Sequence, residues 1–241
     1  MTFRNRIIGA FGAALLLTGT AATSPALAHE VSPMRVFLTP ADGVRSSVVT
    51  IVNDRDSDLP IEIEFRRRIV APDGTQTFEN ADEQFVAFPP QVLIGPKGTQ
   101  AIRFEYIGDP DLAVSQSYVL QVKEVPVLPE NFSGVLTVYN FGVAVYLTAD
   151  GARAELERPV VVSRDDSQVR FQIQNTGTDY GFLSQRIVRL RAGGETVTLD
   201  PEQVAEQIEN PIIPPNSTRE FALKTDGLPP GEVTIEVGAA R

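Results

Sequence analysis

The chain has no cysteine, one histidine and two methionines in 241 residues. Without cysteine no disulfide can form, so stability must come from core burial and strand pairing, even in an oxidising compartment. The same lack, with His29 as the sole histidine, excludes His-based triads and cysteine nucleophiles. A processed N-terminal His29 would offer copper an amine and an imidazole. But no second His or Cys exists to complete a soft-ligand set, and Met34 is the only methionine after the initiator. No catalytic residue, metal or cofactor is therefore expected. Basic residues are also scarce, 21 Lys and Arg against 31 Asp and Glu. That balance argues against nucleic acid, whose phosphates need clustered cations, and against an anionic membrane surface.

Long apolar runs are missing beyond the N-terminus. There, Arg4 and Arg6 form a positive region, Ile7 to Thr20 is apolar or small, and Ala26-Leu27-Ala28 is an A-x-A cleavage site. The apolar part is too short and Gly-rich for a comfortable membrane span. Residues 1–28 are read as a signal peptide, cleaved after Ala28 to leave 213 of the 241 residues, beginning at His29. Losing two arginines and no acid takes the formal charge from −10 to −12. The expected destination is the periplasm or the cell exterior, without membrane insertion.

What remains reads as all-β, in short alternating runs punctuated by Gly, Pro, Asn and Asp. Strands are expected over Met34–Leu38, Ser46–Val52, Ile61–Val70, Ala101–Tyr106, Tyr118–Glu124 and Val135–Leu147. A second series covers Pro159–Ser163, Val169–Gln174, Leu183–Leu190, Thr196–Leu199, Thr218–Leu223 and Val233–Val237. Only Pro201–Ile208 reads as helix. The alternation lapses after Thr148, which divides the chain into a domain over 29–148, a linker over 149–158 and a second domain over 159–241. Turn signals include Pro72-Asp73-Gly74, Asn53–Asp58 and Asn175-Thr176-Gly177.

The charged clusters read as solvated. Asp54-Arg55-Asp56 and Asp165-Asp166 sit in turns, where Asp bonds local backbone; a calcium site would need several converging oxygens. Arg66-Arg67-Arg68 is a basic run on a strand, of the kind usually left in water. The long run Val135–Leu147 (VLTVYNFGVAVYL) is apolar on both faces. An exposed strand of that kind is an aggregation hazard unless it has a use.

Phe88 to Val127 runs a Pro89-Pro90 corner, a Pro96-Lys97-Gly98 turn, two alternating strands and a closing Glu124-Val125-Pro126. With Arg35-Val36-Phe37 near the start, and Val169–Tyr180 and Ile212–Ser217 further on, this order resembles the PapD-like periplasmic chaperones of pilus assembly. The resemblance implies two immunoglobulin-like β-sandwich domains in an L-shaped arrangement, and no enzyme. It implies binding of pilus subunits that lack their final strand, and delivery to an outer-membrane usher. The subunit would be held by an edge strand within Val135–Leu147, in one of two registers. One presents Leu136 and Val138, the other Tyr139, Phe141 and Val143, since side chains alternate.

The family's cleft Arg matches Arg35, but its cleft Lys falls on Val145, leaving Arg103 and Lys123, on strands read as neighbours, as substitutes. An interdomain salt bridge of the family falls on Gln116 and Ala149. These departures point to a divergent branch, with the archaic type as one option. Two other readings stay open: an exported structural or adhesive sandwich whose long strand completes its own fold, and a periplasmic ion-binding module using the Asp-rich turns.

Overall fold

The computed structural model of the chain describes residues 29–127, 133–135 and 137–239. The expected signal peptide and Leu136 lie outside the described residues. The first half forms β1 (Glu30–Ser32), β2 (Arg35–Leu38), β3 (Ser46–Val52), β4 (Leu59–Val70), β5 (Gln76–Asn80), β6 (Phe85–Phe88), β7 (Gln91–Ile94), β8 (Thr99–Tyr106), β9 (Gln116–Glu124) and β10 (Asn140–Leu147). Then come β11 (Val160–Arg164), β12 (Gln168–Asn175), β13 (Gly181–Phe182), β14 (Arg186–Ala192), β15 (Glu195–Leu199), β16 (Ile212–Ile213), β17 (Ser217–Lys224) and β18 (Thr234–Ala239). A helix α1 (Pro201–Gln207) opens with a capping box between Asp200 and Gln203 and proline in its first turn.

Alternation is realised as two sandwiches with separate cores. In β4, Leu59, Ile61, Ile63 and Phe65 point inward, while Glu62, Glu64, Arg66 and Arg68 point out. The first sandwich stacks the sheet β1-β3-β8-β6 on the sheet β2-β10-β9-β4-β5, with β7 also paired to β4. Its core draws on residues from Val31 to Leu147. All pairings among the described residues are antiparallel except β2 with β10, which is parallel. The second core runs from Val169 to Ile235, between β11-β12-β17 and β15-β14-β18, with the short pair β13-β16.

Three differences from the sequence expectation have physical causes. The strand expected over Val135–Leu147 begins at Asn140, because β9 ends at Glu124 and offers no ladder further on. β5 is fully exposed and mostly polar, so it carries no inward apolar signal. Leu183–Gln185 is a turn of 3-10 helix rather than strand; there the chain leaves the β13–β16 pair to enter β14.

Each sandwich is tied by a buried asparagine just past, or at the end of, an inner strand. Asn53 Nδ2 donates to the Ser57, Ile94 and Gly95 carbonyls at 2.8, 3.0 and 2.9 Å, and its Oδ1 accepts from the Arg55 N–H. Asn175 Nδ2 donates to the Asp179, Ile213 and Pro214 carbonyls, and its Oδ1 accepts from the Glu155 and Gly177 N–H groups. Both side chains are fully buried, which is tolerable only because their hydrogen-bonding capacity is met.

Candidate functional site

β10 is paired on both sides for only half its length. Asn140–Leu147 pairs with β9 throughout, but β2 covers only Ala144–Leu147. Among the described residues no strand pairs with the outer side of Asn140–Val143. Ala144 donates its N–H to Met34 and Thr148 to Leu38 across this side, at 3.0 and 2.8 Å. Backbone groups alternate along a strand, so the N–H and C=O of Asn140 and Gly142 also face outward, toward open space. Arg35, the first residue of β2 and the partner of Ala144, stands where the open segment ends.

The two side-chain faces of β10 differ sharply. Val143, Val145 and Leu147 are fully buried in the first core, with half-buried Phe141 packed against it. Asn140 and Gly142 are exposed on the opposite face, and Val138 just before the strand is 39% exposed. Tyr139 is half-buried. Its N–H donates to Glu124 Oε2 at 3.1 Å, and its ring lies 5.7 Å from the Arg55 guanidinium. Arg55 and Glu124 form a bidentate ion pair. Burial pushes the Glu124 carboxyl up, but Arg55 and the Tyr139 N–H hold it below its ordinary 4.5.

The same outer face, across β2, β10, β9 and β4, is aromatic and cationic where it meets the second sandwich. Tyr146 is the hub. Phe37 stacks on it at 5.2 Å, and Tyr180 and Phe182 of the second sandwich meet it edge-on at 5.3 and 5.4 Å. Arg68 donates to Tyr146 Oη at 2.7 Å and to Ser117 Oγ at 2.6 Å, its Cζ 5.2 Å from the Tyr146 ring. Arg35 Cζ lies 5.4 Å from the Phe182 ring. Burial pushes the Tyr180 hydroxyl up to about 12, so it stays neutral.

Cations on this face divide into two kinds. Lys123 Nζ contacts Glu64 Oε1 at 2.5 Å and Glu62 Oε2 at 3.9 Å, and Arg66 is also bound to Glu64. The bonds from Lys123 and Arg66 hold the Glu64 carboxyl below its ordinary 4.5, chiefly through Lys123. Arg35 and Arg68 have no carboxylate within salt-bridge distance among the described residues. Arg103 is elsewhere: β8 belongs to the other sheet, so the expectation that Arg103 and Lys123 sit on neighbouring strands is corrected. Sequential strands suggested adjacency, whereas β8 and β9 cross between sheets.

No protein-family model and no curated protein matches this sequence. Solved structures do match in three dimensions. The class 5 fimbriae chaperone CfaA superposes with a TM-score of 0.55 at 11% identity, over 89% of this chain and 100% of that one. The E. coli chaperone DraB gives 0.52 at 19% identity, over 86% and 88%. A chain of the CsuC–CsuE chaperone–tip adhesion subunit complex, from archaic Csu pili of Acinetobacter baumannii, gives 0.51 at 15%, over 81% and 90%. This chain has the fold of the fimbrial chaperones.

Within that chaperone fold, the sequence-level candidates fall into separate places. Arg35 lies in the interdomain cleft, Lys123 further out on the same face among glutamates, and Arg103 on the opposite sheet. Val138 and Tyr139 precede β10, while Phe141 and Val143 face the first core. Arg68 was read only as part of a solvated basic run, and Tyr146 only as one residue of the expected edge strand. The only available signal was that Arg68 shares the outward, even-numbered positions of β4. Near Gln116 and Ala149, where the resemblance implied an interdomain salt bridge, the bonds are neutral: Ser115 donates its N–H to the Thr178 carbonyl at 2.9 Å and accepts the Ala149 N–H at 3.1 Å. The aspartate pairs behave as turn residues, Asp165 being held down to about 2 by the Ser167 hydroxyl and the Ser167 and Gln168 N–H groups. Among the described residues no group of three or more His, Cys, Asp or Glu is placed to hold a metal ion. Nor is any helix there long and apolar enough to cross a membrane.

Proposed function

We propose that this protein is a periplasmic chaperone that binds incomplete pilus subunits along β10 and passes them to an outer-membrane usher. The observation that carries the reading is the edge at Asn140–Val143, which no described strand covers and which terminates at Arg35, a guanidinium with no carboxylate partner among the described residues. β2 runs parallel to β10 and takes over the ladder where the open segment stops. A peptide strand that occupied the segment in line with β2 and in the same direction would also be parallel to β10, and its C-terminus would abut Arg35. A cation at that position favours a chain-terminal carboxylate; an N-terminal amine would be repelled. The direction of the bound strand thus follows from the topology and the charge together.

Arg68 supplies the second cation of the cleft. Ser117 and Tyr146 hold it in place through one edge of its guanidinium, which leaves other N–H groups for an incoming anion. Lys123 is neutralised by Glu64 and Glu62, and Arg103 faces away, so this reading gives the anchoring to Arg35 and Arg68. The register with Val138 on the exposed side suits contact with a subunit. The alternative residues Phe141 and Val143 serve the chaperone's own core.

The test is co-expression with candidate pilus subunits in a periplasm, affinity capture of the chaperone, and mass spectrometry of what is retained. A stoichiometric β-rich partner is expected. Arg35→Ala and Arg68→Ala should each weaken capture by roughly 10- to 100-fold, the worth of a charge-assisted hydrogen bond. Neither should weaken capture of a subunit whose C-terminus is extended by several residues, which already binds poorly. Absence of any captured subunit in cells that assemble pili would overturn the reading.

A further inference from the structure

The second sandwich buries a charge that its own side chains leave almost unsatisfied. Arg219 lies on β17 on the inward side with Phe221 and Leu223, and is 2% exposed. Its Nη2 donates to the Asn210 carbonyl at 3.0 Å and its Cζ lies 4.9 Å from the Phe221 ring. Nε and Nη1 are buried without a partner among the described residues, as is Asn210 Oδ1. A lone buried guanidinium is costly and persists where geometry gives it a role.

What closes over it comes from the other domain. The β4–β5 turn, Ala71 to Thr75, reaches across so that Asn210 Nδ2 donates to the Gly74 carbonyl at 3.0 Å and the Glu220 N–H donates to the Pro72 carbonyl at 2.8 Å. The negative charge of Asp73 favours the Arg219 cation across the same contact. Gly74 has φ +95°, and a Cβ there would come within 2.9 Å of Arg219 Nη2, so only glycine lets the turn settle this closely. β17 is an edge strand of its sheet, and the Glu220 N–H points away from β12 into this turn.

We infer that the Pro72–Gly74 turn seated on Arg219 is an interdomain latch that holds the angle between the sandwiches, with Arg219 as its positioning residue. The Ser115–Thr178 bond and the Tyr146 cluster join the domains at the linker side, and one such patch leaves rotation about it free. The second contact, at the far tip of the β4–β5 hairpin, removes that freedom and so sets the width of the cleft holding Arg35 and Arg68. This last consequence rests on the proposed function; the latch itself does not.

The chain has no cysteine, so Glu83→Cys and Thr198→Cys, both exposed, can carry spin labels for interdomain distance measurement on the free protein. A single narrow distance distribution is expected for the parent. Gly74→Ala and Arg219→Met should broaden it, and hydrogen exchange at the Glu220 amide should accelerate by about tenfold or more while the Phe221 amide is unaffected. If Arg219→Met unfolds the second sandwich, Gly74→Ala, in a half-buried turn of the first domain, carries the test alone. A distribution that stays narrow in Gly74→Ala with the Glu220 amide released would overturn the latch. Subunit capture, measured separately, bears on the proposed function and leaves this result standing or falling by itself.

Discussion

The two sandwiches manage their edge strands in opposite ways. In the second, the edge of β17 is capped by a turn whose Pro72 carbonyl accepts the Glu220 N–H. In the first, β10 ends its pairing with β2 at Ala144 and leaves Asn140 and Gly142 facing outward. Both strands carry the same unpaired backbone chemistry, and both belong to domains knotted by a buried asparagine. The contrast teaches that the open edge is not a by-product of a lean sandwich. A protein that covers one edge with a turn from its other domain has the means to cover another, and an uncovered edge is normally selected against.

The largest effect should come from removing what the two domains share. Asn53→Ala and Asn175→Ala each strip several buried hydrogen bonds and orphan backbone groups, a loss of about 3 kcal/mol apiece. Urea unfolding with a probe in each domain reads this. Asn53→Ala should depress the first sandwich, and Asn175→Ala the second along with the Glu155 segment. Equal effects of both on both domains would mean that the sandwiches unfold as one unit and the comparison between them has no energetic content.

A smaller effect isolates the difference. Asn140→Pro deletes one outward N–H at the first residue of an edge strand, where proline is tolerated. Under the proposed function, capture of a subunit should fall about tenfold, the worth of roughly one hydrogen bond, while the melting temperature of the free protein is nearly unchanged. Retained capture would show that the backbone edge is not what a subunit reads.

The smallest effect is electrostatic and belongs to the first sandwich. Glu124 and Glu64 have folded values below their ordinary 4.5. The stability they lend is complete above that value and is lost as pH falls through the lowered ones. His29 works in a higher window: burial lowers its value from 6.5. Its neutral burial is fully favourable above 6.5 and becomes a liability as pH falls below, because the unfolded chain takes up the proton first. Thermal melts from pH 8 to pH 3 should show a shallow decline starting near 6.5 and a steeper one below 4.5. His29→Gln should remove the first, and the Glu124→Gln, Glu64→Gln pair should flatten the second.

Much of this was legible in the chain. Alternation in β4, β8 and β12 marks which residues face a core, and Asn, Asp, Gly and Pro mark the turns, because both signals depend on neighbours a few residues apart. The Asp200-Pro201 start of α1 is visible for the same reason. Arg35 was within reach only through the resemblance carried by Arg35-Val36-Phe37. Arg68 was not, since its value depends on Ser117 and Tyr146, which are distant in sequence, and on Glu64 being occupied by Lys123. Arg219 looked like an ordinary strand residue, because nothing local says that a turn about 145 positions earlier covers it.

The sequence by itself therefore determined an all-β chain without disulfides, the approximate strands, and the turns between them. These follow from the two-residue period of the strand and the dihedral tolerance of a few residue types. Which strands become edges, which edge stays open, and which cations remain unpaired were decided only by the tertiary structure. Pairing and charge neutralisation are set by residues that the fold brings together from opposite ends of a domain, and no local pattern encodes that meeting.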